Sequence, residues 1–146
     1  MRIQVAGLWT PGFTQTAQGP WIIETADDRV IRIARPTQTE PRVDVVLPWT
    51  AMPGLIDCHE HIGIDVGDEK AQAFEPLGRM LMRGVRNLRD MLAGGITTIR
   101  DCGERPDAEA IWIDALTEGL IDGPRTARCT CMPDMSVSCV RSGPCV

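Results

Sequence analysis

The chain contains two histidines, and a single residue separates them in Asp57-Cys58-His59-Glu60-His61. Neutral imidazole is the commonest metal-coordinating side chain and suits zinc, nickel or iron. Along a β-strand side chains alternate faces, which puts Asp57, His59 and His61 on one face and Ile56, Cys58 and Ile62 on the other. Two imidazoles sharing a face at a strand end can grip one metal ion together, with Glu60 turned away from them. Taken alone, a His-x-His pair is equally at home as two ordinary polar residues. The lead-in Met52-Pro53-Gly54-Leu55-Ile56 makes it a much sharper signal.

The elements needed to position this pair can be read around it. Leu55 to Ile62 alternates as a strand and is followed by a polar loop from Gly63 to Lys70. Phe74, Leu77, Leu81, Val85, Leu88 and Leu92 recur every three or four residues, the period of a buried helix face, and Gly94-Gly95 closes that helix. Ile96-Thr97-Thr98-Ile99-Arg100 is a second, β-branched strand. Asp107 is the expected N-cap of a second helix carrying Ile111, Trp112, Ala115 and Leu116. Strand, helix, strand, helix predicts a parallel α/β sheet, in which function collects at the C-terminal strand ends. His59 and His61 lie near one such end, and Asp101-Cys102-Gly103 lies at the next. Asp101 either approaches the site or serves as a structural hydrogen-bonding residue.

Ahead of this region, Arg2–Trp9, Trp21–Thr25, Val30–Ala34 and Val43–Leu47 read as short strands, with Ala26-Asp27-Asp28 as a hairpin turn. They predict a small antiparallel β unit.

Composition limits the function classes. Apolar residues make up 43% and charged residues 24%, as in globular proteins. A net charge of −5 argues against a nucleic-acid partner, since phosphate binding needs a basic surface. No run approaches the ~18 apolar residues of a membrane span, and no signal pattern opens the chain. A cytoplasmic location is the default. Arg79, Arg83, Arg86 and Arg89 form a basic stripe expected to be a solvated helix face. Cys58 and Cys102 are expected to be small buried residues.

Met-Pro-Gly-Leu-Ile-Asp-Cys-His-Glu-His, residues 52–61, resembles the first-strand motif of the metal-dependent amidohydrolases. Gly94-Gly95-Ile96-Thr97-Thr98-Ile99-Arg100-Asp101-Cys102-Gly103 is similar to the second strand of the imidazolonepropionase and prolidase-like branch. The resemblance covers about residues 1–125 and implies three segments. Residues 1–52 would form half of a small β-sandwich, residues 53–124 the first two βα units of a (β/α)8 barrel, and residues 125–146 an aberrant tail. It implies a divalent metal, zinc in the first instance, held by His59 and His61 as the first two ligands. Asp57 would support them from behind, as an outer hydrogen-bonding partner can. The implied chemistry is attack of metal-bound water on a C–N bond of a small-molecule amide, cyclic amide or peptide.

The departures from that pattern are equally specific. The family draws a lysine or equivalent carboxylate, two further histidines and an aspartate from later strands. Here there is no third histidine, and the only lysine, Lys70, follows the first strand. A barrel typically needs ~250 residues, and a catalytic zinc usually has three protein ligands. The chain therefore reads as the N-terminal portion of a hydrolase, inactive by itself, with a non-catalytic remnant or metal-binding module as the alternative. An uncovered sheet edge would favour self-association.

Charge changes sign near Arg125. Residues 1–124 carry 12 basic and 19 acidic groups, whereas residues 125–146 carry three arginines, one aspartate and Cys129, Cys131, Cys139 and Cys145. No strand or helix period is evident there, and the cysteines match no zinc spacing. A shift of reading frame near Arg125 is hypothesised, because an alternative frame over Cys129–Met135 admits a His-Val-His-Ala-Gly-His string.

Overall fold

The apolar alternations of the first fifty residues pair into one four-stranded sheet. In the computed structural model, which describes residues 1–12, 16–39, 41–103 and 105–128, its strands are β1 (Arg2–Leu8), β2 (Ala17–Ala26), β3 (Arg29–Ala34) and β4 (Val45–Ala51), in the order β3-β2-β1-β4. The β2–β3 hairpin turns through Asp27 and Asp28, and Asp27 adopts a left-handed φ of 52°. Asp and Asn tolerate that conformation better than most residues. The expectation of a purely antiparallel unit is corrected, because β4 runs parallel to β1. Asp44 fixes the entry of β4. Its N–H donates to Arg2 O at 2.9 Å, and its carboxylate accepts from Arg2 N at 2.7 Å. Pro48 lies within β4, an edge strand, where a missing N–H is tolerated. Val5, Leu8 and Ile22 are buried in this unit, which ends at Pro53.

A second unit begins at Gly54 and alternates strand and helix. Its elements are β5 (Leu55–Glu60), α1 (Glu69–Ala73), α2 (Leu77–Ala93), β6 (Ile96–Asp101), α3 (Pro106–Thr117) and β7 (Arg125–Arg128). The three strands form a parallel sheet in the order β5-β6-β7. Here β7 is a correction: residues 125–128 were expected to lack regular structure, yet Thr98 to Asp101 pair with Arg125 to Arg128. Backbone pairing to a preformed neighbour makes this strand without an apolar run of its own. The four tail cysteines and the alternative frame over Cys129–Met135 lie outside the described residues.

The two sequence motifs touch. Leu55 N donates to Gly95 O at 2.9 Å, and a Cβ on Gly54 would lie 2.0 Å from Thr97 Oγ1. Only a glycine lets the chain enter β5 this close to β6.

The helices also differ from expectation in detail. The single amphipathic run splits at Pro76, which precedes α2, so Phe74 caps the short α1 and is exposed. Lys70 sits in α1 and not in a loop. Met80, Gly84 and Leu88 form the buried line of α2, packed with Ile62, Ile99, Ala108 and Trp112. Helix α3 starts after Arg105, two residues before the expected cap at Asp107. Pro106 explains the shift, since its fixed φ and missing N–H suit the first helical position. Asp107 instead pairs with Arg105 at 2.8 Å.

Arg83 departs furthest from its reading as part of a solvated stripe. Its side chain is only 10% exposed, donates to Gly63 O at 2.8 Å and pairs with Glu75. Arg86 pairs with Asp65, and Asn87 Nδ2 donates to Ile62 O at 3.0 Å and Asp65 Oδ1 at 3.1 Å. Gln72 closes the same loop by exchanging two hydrogen bonds with the Asp65 backbone. Together they fasten the loop after β5 onto α2. Among the described residues, no helix is long and apolar enough to cross a membrane.

Candidate metal centre

The C-terminal end of β5 does not alternate regularly. Asp57 pairs with Ile99 and Glu60 with Asp101, so three steps along β5 match two along β6. This bulge leaves Cys58 and His59 together opposite Arg100, and a bulge re-aims the side chains around it. Asp57 holds it: its Oδ1 accepts from His59 N at 2.9 Å. The strand ends at Glu60, and His61 stands just beyond it, two residues short of the expected end. A strict period-two argument therefore does not place the histidines. They nevertheless converge, with ring centroids 5.4 Å apart and planes inclined by 70°.

The end of β6 completes the geometry. Asp101 is fully buried, and its Oδ1 accepts from Gly103 N at 3.0 Å. Gly103 has φ +137°, a conformation costly for any residue with a side chain. Its carbonyl faces His61 Nδ1 at 2.9 Å. The link from Cys102 N to Glu60 O, 2.9 Å, joins the two strand ends directly below. Of the four residues singled out, His59 and His61 thus meet each other, Asp57 supports His59, and Asp101 reaches His61 through Gly103. Gly103 was read as part of the strand-end motif but not as a site residue. The signal available was an Asp-x-Gly at a strand end, since Asp readily accepts from the backbone two residues on.

Burial raises the Asp101 carboxyl above its ordinary range. The Gly103 N–H and nearby His61 oppose that rise, while Glu60 adds to it. Asp101 Oδ2 is buried without a hydrogen-bond partner among the described residues. Such an atom is costly in an apolar interior.

The donor set fits a divalent metal as far as it extends. The two imidazole rings lie next to each other, and a backbone carbonyl engages the Nδ1 of His61. Among the described residues, no group of three or more His, Cys, Asp or Glu is arranged to hold a metal ion. The cysteines differ from expectation. Cys58 is exposed and Cys102 half-buried, with Cys102 Sγ donating to Cys58 O at 3.6 Å. The outer side of β5 has no neighbouring strand among the described residues, which leaves Cys58 open to solvent.

The amidohydrolase family profile matches residues 50–144, a span that includes both strand-end motifs. The chain belongs to the amidohydrolase family. The match also runs across residues 125–144, the segment whose composition stands apart. Among solved structures, an amidohydrolase is 28% identical with a TM-score of 0.67, covering 88% of this chain and 31% of its own. A prolidase complexed with N-methylphosphonate-L-proline is 24% identical with a TM-score of 0.66, covering 88% and 31%. A Xaa-Pro dipeptidase with bound methionine shares the fold at 18% identity and a TM-score of 0.69, covering 88% and 33%. No curated protein matches the chain. The chain therefore spans about a third of the length of the amidohydrolases it resembles.

Proposed function

We propose that this chain supplies the metal-gripping corner of a metal-dependent hydrolase of carbon–nitrogen bonds. Its second unit would be the opening of a (β/α)8 barrel and its first a portion of a small β-sandwich. The observation that carries this reading is the convergence of His59 and His61, 5.4 Å apart, at the C-terminal end of a parallel strand. In open and closed parallel sheets alike, that end is where chemistry is sited.

His59 and His61 would hold a divalent metal of the kind imidazole suits, zinc in the first instance. Asp57 fixes the backbone that carries His59, and the β6 end fixes the ring of His61. When bound, such a metal polarises a carbonyl and lowers the pKa of a coordinated water toward about 7. The substrate class is a small-molecule amide, cyclic amide or dipeptide, the classes of bond that this chemistry opens.

A second reading is a metal-binding module without turnover. The absence of a third ligand group among the described residues favours it for these residues acting alone.

Zinc titration of the metal-free chain by calorimetry tests the shared premise. We expect His59→Ala and His61→Ala each to weaken binding at least about 10-fold. Equal affinity in wild type and both variants removes the metal centre. Hydrolysis of any member of a dipeptide and cyclic amide panel by the zinc-loaded chain would then exclude the second reading.

A further inference from the structure

A carbonyl oxygen offers only lone pairs, so the ring atom facing it must carry the hydrogen. His61 Nδ1 stands 2.9 Å from Gly103 O. The neutral ring in this arrangement is therefore the Nδ1–H tautomer, and Nε2 is left with the free lone pair. An unconstrained neutral histidine in water favours the opposite form. Something must hold the carbonyl in place, and the structure shows what does. Asp101 Oδ1 accepts from Gly103 N, closing a turn over Asp101-Cys102-Gly103 that requires φ +137° at Gly103. Asp101 is itself fully buried, so the turn is anchored in the interior.

We infer that Asp101 and Gly103 are positioning residues that select the Nδ1–H tautomer of His61 and so present Nε2 as its ligating nitrogen. The chain of contacts runs from the Asp101 carboxylate to the Gly103 N–H, and from the Gly103 carbonyl to the His61 ring. It crosses from β6 to β5 through the Gly103 backbone. The tautomer itself is a property of the metal-free chain, and its use in ligation rests on the metal-centre reading above.

The chain's two histidines make the test direct. Long-range proton–nitrogen NMR of the whole metal-free chain, at a pH where both imidazoles are neutral, reads which ring nitrogen carries hydrogen. His59→Gln assigns the two rings. We expect Nδ1–H on His61 in the wild type and in Asp101→Asn, which keeps a side-chain oxygen for Gly103 N. In Asp101→Ala we expect conversion toward Nε2–H.

Gly103→Ala serves as the second variant, should Asp101→Ala fail to fold. A Cβ there meets no atom of the described residues within 4 Å but is strained at φ +137°, so it disturbs the turn without crowding them. We expect the same conversion. An Nε2–H ring in the wild type overturns the inference, as does an Nδ1–H ring that persists when the turn is disrupted. Zinc affinity falling about 10- to 100-fold with the tautomer change extends the inference to ligation. Nδ1–H on His61 in a wild-type chain that binds no zinc supports the tautomer selection and removes the metal reading.

Discussion

Asp57 and Asp101 do similar work at neighbouring strand ends. Each carboxylate accepts from the backbone N–H two residues on, at 2.9 Å from His59 and 3.0 Å from Gly103. Both residues were legible as candidates from their positions in the motifs. Their contacts were not, because a strand end can turn in several ways and the sequence does not choose among them. Asp65 shows how far a carboxylate beyond the site can matter. The Arg86 hydrogen bond holds its carboxyl below the ordinary 3.8, against a smaller opposing effect of burial, and Asn87 and Arg83 add to the lowering. A carboxyl depressed in the folded state contributes stability above the unfolded pKa and loses it as pH falls through the folded value. We therefore expect acid unfolding of the wild type to steepen below pH 3.8, and Asp65→Asn to show a flatter acid limb. Parallel acid limbs in denaturant titrations would contradict this.

Among the elements, the α2–α3 contact is the most demanding. A Cβ on Gly84 would lie 2.2 Å from Trp112 Cζ2, and Trp112 is fixed by its indole N–H donating to Leu81 O at 3.1 Å. The indole has no room to retreat within this core. Gly84→Ala is expected to destabilise by about 1–3 kcal/mol, as overpacking does, despite the better helix propensity of alanine. Chemical denaturation checks it, and an unchanged or raised midpoint would show that Trp112 can repack. Helix periodicity identified α2 and α3 but misplaced their starts, because two prolines, Pro76 and Pro106, set those boundaries. It also misread Arg83, since a sequence stripe does not show that the preceding loop folds back to meet it. Asp65, Gly63 and Glu75 come to Arg83 only in three dimensions.

For the whole molecule, the exposed strands are the main consequence of the architecture. Among the described residues, β5 and β7 are the outer strands of the parallel sheet, and Ile56 is 67% exposed on β5. In the other unit, Val46 and Trp49 on the edge strand β4 are exposed at 62% and 67%. Unpaired edges with apolar side chains favour pairing with another chain. We expect concentration-dependent association in sedimentation velocity, shifted toward monomer by Ile56→Lys. A wild type that stays monomeric across the concentration range rejects it.

The sequence by itself determined the family, the alternation of strand and helix, and the strand-end residues proposed to bind a metal. These are local properties, carried by period, glycine and proline placement, and two short motifs. Tertiary structure decided the rest, because each further feature needs partners distant in the chain. The parallel seat of β4 depends on β1, and the short strand β7 exists through its pairing with β6. The orientation of His61 depends on a carbonyl 42 residues away. Sequence names the two histidines, whereas the geometry of neighbouring strand ends decides which atom of His61 meets the Gly103 carbonyl.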